Sequence, residues 1–124
     1  MDSLDTNSNG APGFTRAPDY SITIKPAGQR SVVRHQGATL ADTTDALVLN
    51  EADYAPVLYV PARDIRMDLM SATEHTTYCP FKGHATYWSL GDLENIAWSY
   101  EDPYDEVMEI KGHIAFYTDK IDPI

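Results

Sequence analysis

The side chains able to do chemistry crowd into one third of the chain. Arg66 and Asp68 lie two apart, and Tyr78, Cys79 and Lys82 surround a Cys-Pro-Phe-Lys-Gly turn. Trp88, Trp98 and Tyr100 follow within residues 76–100, TTYCPFKGHATYWSLGDLENIAWSY. Rings with a few orienting charges are the makings of a small-ligand pocket, so Arg66, Tyr78, Lys82, Trp88, Trp98 and Tyr100 form the candidate ligand-binding set. Buried phenols and indoles need polar partners, and a half-wet concave site supplies them. Phe81, Tyr87 and Tyr117 belong to the same aromatic group, with Glu109 as a further charge.

Reactive groups are fewer. Cys79 becomes a nucleophile if a neighbouring cation stabilises its thiolate, and His75, Lys82 and His84 are close in sequence. Its simpler role is a small buried side chain ahead of a turn-forming proline. Asp64 and Asp68 are carboxylates able to hold magnesium for nucleotidyl transfer, although Arg63 and Arg66 beside them make local ion pairs the plainer assignment.

Other chemistries lack their residues. His35, His75, His84 and His113 are scattered, with no His-x-x-x-His or Cys-x-x-Cys pair, so no metal site is expected. No GxxxxGK[ST] or GxGxxG loop cradles a phosphate and no Gly-x-Ser-x-Gly elbow presents a serine, so no cofactor is expected. Nineteen acidic against nine basic residues give a net charge of −10, which disfavours a nucleic-acid partner. The lone cysteine excludes an internal disulfide and suits a reducing compartment, so the expected location is cytoplasmic.

These residues need positioning elements, and the pattern is that of strands. Gly91 and Asp92 separate two aromatic-rich runs and predict a hairpin over residues 85–100. If that pair is the whole turn, Trp88 faces Asn95 and Tyr87 faces Ile96. Alternation then puts Tyr87, Ile96, Trp98 and Tyr100 on one face and Trp88, Leu90, Leu93 and Ala97 on the other.

Upstream, residues 20–25 alternate as a half-buried strand, and residues 31–35 and 38–43 form a second hairpin about Gln36 and Gly37. Residues 45–51 fit a strand or a short helix. PVLYVP (56–61) is an apolar strand bounded by prolines, expected at a sheet edge or end. Residues 62–70 leave a helical turn and an irregular strand open, and 71–76 read as a polar loop. Downstream, Asp102 and Pro103 start and Lys111 and Gly112 stop a short helix over 101–112, and residues 113–120 close with a strand. Residues 1–19, rich in Asn, Gly, Pro and Ser, are expected as a disordered leader with neither a signal sequence nor a membrane segment, and residues 20–124 as one domain. The resulting fold class is mainly β with one or two short helices.

IRMDLM, HTTYCPFKGHATYWSL and ENIAWSYEDPYDEVMEIKGHIAFYTDKI together closely resemble the signature of domain-of-unknown-function family 427 (DUF427), which also carries a nucleotidyltransferase-like label. The resemblance covers roughly residues 20 to 122. It implies a compact, antiparallel two-sheet fold of the β-tent kind with a cavity between its sheets. It carries no established reaction. Cysteine-bound zinc, common in β-tent proteins, does not transfer to a chain with one cysteine. Because some members hold two such domains in tandem, a homodimer of this single-domain form is compatible with the resemblance.

The expected function is binding of a small, anionic metabolite in an aromatic-walled pocket anchored by Arg66 or Lys82. Two other classes stand beside it: an enzyme using Cys79 or Asp68 in the same pocket, and an interaction module that buries its aromatic face in a dimer.

Overall fold

Short runs of β-branched and aromatic residues, punctuated by glycine and proline, fold here into strands joined by tight turns. The structure is a computed structural model that describes residues 9–124. Its elements are α1 (Pro12–Arg16), β1 (Ile22–Pro26), β2 (Ser31–His35), β3 (Ala38–Thr43), β4 (Leu47–Glu51) and β5 (Val57–Pro61). Two 3₁₀ turns (Ala62–Asp64 and Met67–Leu69) lead to β6 (Met70–Cys79), β7 (Gly83–Leu90), β8 (Leu93–Ser99), a 3₁₀ helix (Asp105–Ile110) and β9 (His113–Phe116). The fold is mainly β: a seven-stranded antiparallel sheet in the order β1-β4-β5-β9-β8-β7-β6, with β2 and β3 as a separate hairpin.

The sheet divides at its middle. β5 pairs with β4 through Leu47↔Tyr59, Val48↔Leu58 and Leu49↔Val57. With β9 it shares only Val60↔Ile114 and Pro61↔His113. The first half of β5 therefore travels with β4 and leaves β9 behind, opening a gap between a β1–β4–β5 wing and a β9–β8–β7–β6 wing.

Two apolar clusters hold the layers together. Val33 and Leu40 of the β2–β3 hairpin pack with Val60, Ile96, Ile114 and Phe116. In the other cluster Leu49, Tyr59, Tyr87 and Tyr100 pack under Val107 and Ile110. Burying Val107 and Ile110 completely stabilises by about 1.5–3 kcal/mol each, which keeps a 3₁₀ helix too short to stand alone in place.

Several expectations are corrected. In the 85–100 hairpin Leu90 faces Leu93 as expected, but then Trp88 pairs with Ala97 and Tyr87 with Trp98, because the register shifts beyond Leu90. The cause is a bulge in which Asn95 takes φ 55° and donates its backbone N–H to Ser89 Oγ at 2.9 Å. Ile96 consequently packs in the cluster that Trp88 adjoins rather than with Tyr87. Residues 71–76 are no loop but part of the edge strand β6, polar because most of its side chains face solvent. β5 is central instead of peripheral: Pro56 precedes the strand and Pro61 is its last residue, so neither missing N–H interrupts the β4 ladder. The predicted helix over 101–112 is a kinked 3₁₀ helix, with Val107 at φ −127°.

The predicted leader falls into two parts. Residues 1–8 lie outside the described residues, whereas residues 9–19 are ordered against the fold. Gly13 donates its N–H to the Pro80 carbonyl at 2.9 Å, Ala11 donates to Glu106 Oε1 at 2.9 Å, and Phe14 meets Phe81 edge-on at 5.0 Å. Composition misses this because the docking rests on one ring and a few backbone donors.

Candidate functional site

The gap between the wings is a cavity of about 540 Å³, within the range of sites for small molecules. Val57 and Leu58 of β5 form one wall, and Phe116 with the following Tyr117, Thr118 and Asp119 forms the other. Trp98 of β8 stands beside Tyr117, their ring centroids 4.6 Å apart and tilted 46°, and meets Tyr59 edge-on at 6.5 Å. Ser31 and Val33 of β2 and Gln29 of the preceding turn contribute to the lining from the hairpin layer.

Backbone pairing fixes the rings. Trp98 sits between Tyr87 on β7 and Ala115 on β9, and Tyr117 extends the β9 ladder by donating its N–H to the Ile96 carbonyl at 2.8 Å. Both rings are half-buried, so each presents surface to a ligand. Burial, then the Tyr87 hydroxyl and the Asp119 charge, push the Tyr117 phenol up to about 12. It therefore stays protonated at neutral pH as a hydrogen-bond donor. Among the described residues Asp119 is the one charged side chain lining the cavity.

The six candidate residues are distributed rather than gathered. Trp98 lines this cavity. Trp88 is half-buried elsewhere, its indole N–H donating to Ser99 Oγ at 2.9 Å. Tyr78 is 49% exposed on the edge strand and shares a 2.7 Å hydrogen bond with the Tyr104 hydroxyl. Arg66 is exposed and grips Asp68 through two bonds of 3.0 and 2.9 Å, beside a smaller hollow of about 210 Å³.

Lys82 and Tyr100 belong to a second polar centre under the β6–β7 turn. The Lys82 ammonium pairs with Glu51 and lies 6.0 Å from the centroid of the buried Tyr100 ring. Glu51 also accepts from the Tyr20 hydroxyl at 2.6 Å, and the Tyr20 ring stacks on Phe81 at 3.9 Å. Burial and the Glu51 carboxylate push the Tyr20 phenol well above its ordinary range, and burial does the same to Tyr59 and Tyr100. These phenols are donors, not bases.

The groups that would activate Cys79 are engaged elsewhere. Lys82 holds Glu51, His75 packs edge-on against Tyr87 at 4.5 Å, and His84 packs against Tyr78 at 4.7 Å. Asp64 accepts from Thr43 Oγ1 at 2.8 Å while Asp68 is held by Arg66, so the two carboxylates do not converge. Among the described residues no three His, Cys, Asp or Glu side chains are grouped to hold a metal ion. No helix among them is long and apolar enough to cross a membrane.

Tyr117 was legible as one of the aromatic group. Val57, Leu58, Phe116 and Asp119 carried no signal of their own, since they become neighbours only where β5 departs from β9.

Comparison with curated proteins finds no match to the chain. The family model described as a domain of unknown function (DUF427) matches residues 23–124, from within β1 to Ile124, which also lines the cavity, and the chain belongs to that family.

Proposed function

We propose that the protein binds a small molecule in the cavity between β5 and β9, with an apolar, ring-sized body resting against Trp98 and Tyr117. The single observation that carries this reading is the 540 Å³ gap itself, with two half-buried aromatic rings and an otherwise largely aliphatic wall. Concave apolar space with few polar groups favours ligands whose desolvation is cheap, and stacking on rings orients them.

Ligand charge is the point on which the sequence expectation changes. Lys82 and Arg66, the intended anchors of an anionic ligand, hold Glu51 and Asp68, and neither lines this cavity. Binding is preferred to catalysis because the cavity lining holds no Cys, His or Lys, which leaves the hydroxyls of Ser31 and Thr118 without a histidine or lysine to activate them. A reducing, cytoplasmic setting is part of the proposal and rests on the single thiol.

A thermal-shift screen of aromatic fragments tests it. Fragments that raise the melting temperature of the natural protein should lose their effect on Val57→Trp, whose larger side chain fills the cavity. Hits that stabilise both proteins equally would place binding elsewhere and refute the proposal.

A further inference from the structure

Resting on the cavity as the binding site, the inference concerns the ligand's chemistry. Asp119 follows Tyr117 by two positions at one wall, and Trp98 stands against Tyr117. Gln29, Ser31 and Thr118 add neutral hydrogen-bonding groups and no positive charge. An anionic ligand would meet the Asp119 carboxylate with no cation among the lining residues to offset it. A neutral body of the same shape gains nothing from that carboxylate, which is exposed at the cavity's rim. A cation satisfies both features, because a carboxylate attracts it directly and the faces of tryptophan and tyrosine attract it through their quadrupoles.

A cation already lies against one of these rings. The Lys120 ammonium is 5.3 Å from the Tyr117 centroid. The whole chain, at net charge −10, also raises the local concentration of cations over anions.

We propose that the cavity takes an organic ammonium: a ligand with an apolar or aromatic body between β5 and β9 and a positively charged nitrogen beside Asp119, against the rings of Tyr117 and Trp98. Lys120 then acts as a resident competitor for the Tyr117 ring.

Three probes of similar body and different charge test this: benzyltrimethylammonium, its carbon isostere 2,2-dimethyl-1-phenylpropane, and benzoate. Binding is followed by the Trp98 indole N–H resonance in the full chain. Benzyltrimethylammonium is expected to bind about tenfold more tightly than the isostere, with benzoate weakest. Asp119→Asn should abolish that preference while leaving the isostere's affinity unchanged. Asp92→Asn, which removes the same charge at the distant β7–β8 turn, should preserve it and so separate a local effect from overall charge. Lys120→Gln should strengthen binding of the ammonium by about threefold, as loss of a competing surface cation.

Equal binding of the ammonium and its isostere, a preference for benzoate, or a preference that survives Asp119→Asn would overturn the cation assignment while the cavity stands. If no probe moves Trp98, the cavity reading fails and the inference fails with it.

Discussion

The ammonium of Lys82 is paired with the carboxylate of Glu51 in a setting that leaves only 12% and 13% of the two side chains exposed. Such a pair is a structural joint between the β6–β7 turn and the end of β4. Taking away one partner leaves the other charge poorly solvated, which costs several kcal/mol in a dry interior and less where water retains some access. Lys82→Met is therefore expected to lower unfolding free energy by about 2 kcal/mol while leaving ligand affinity in the β5–β9 cavity unchanged. A urea-denaturation cycle with Glu51→Leu checks this. The double variant should lose less than the two single losses combined, and simple additivity would show that the pair is not coupled.

The N-terminal segment should contribute measurable stability. A methyl group at Gly13 would stand 2.7 Å from two Phe81 ring carbons and 2.9 Å from the Pro80 carbonyl oxygen. The backbone oxygen cannot rotate away, so Gly13→Ala should undock α1 at a cost of about 1–3 kcal/mol. Deleting residues 1–18 should cost at least as much, since it removes the Phe14 ring as well. An unchanged melting temperature for both variants would show that the segment adds nothing to the fold.

Acid sensitivity should centre in part on Asp122. Its two carboxylate oxygens each accept a backbone N–H at 2.9 Å, from Gln36 and Gly37 in the β2–β3 turn. Those donors, Gly37 first and then Gln36, hold the carboxyl below its ordinary range. The sign follows from linkage: a carboxyl with a depressed folded pKa contributes stability above its unfolded value of about 3.9, and that contribution is lost as pH falls through the folded value. Asp122→Asn should lower the melting temperature at neutral pH and flatten its decline in acid. Parallel pH–melting curves for the two proteins would contradict this.

The register shift between Val33 and Arg34 aside, the β2–β3 hairpin was legible in its bounds and turn, because Gln36 and Gly37 take φ 50° and 81° and form a turn whose composition announces it. The bulge in the β7–β8 hairpin was not. Gly91 and Asp92 specify only the Leu90↔Leu93 pair, and the shift beyond it depends on Asn95 adopting a left-handed conformation bonded to Ser89. β6 was hidden by its polarity, since an edge strand with solvent on its outer side needs no apolar alternation.

At the site, Trp98 was visible as a large ring on a strand, while its cavity was not. The cavity is made by β5 leaving β9, a relationship between strands more than fifty residues apart that no local pattern encodes. Lys82 shows the same limit. It does lie by the Tyr100 ring, but Glu51, from thirty-one positions away, takes its charge.

Trp98, and not Trp88, lines the cavity proposed to take the ligand. The chain has two tryptophans, so its proton–nitrogen spectrum carries two indole N–H signals, assigned by Trp98→Phe. A saturating aromatic ligand from the fragment screen should shift the Trp98 signal and leave that of Trp88 in place, since the Trp88 N–H is bonded to Ser99 away from the cavity. A ligand that moves Trp88 alone, or binds the protein without moving Trp98, would contradict the account.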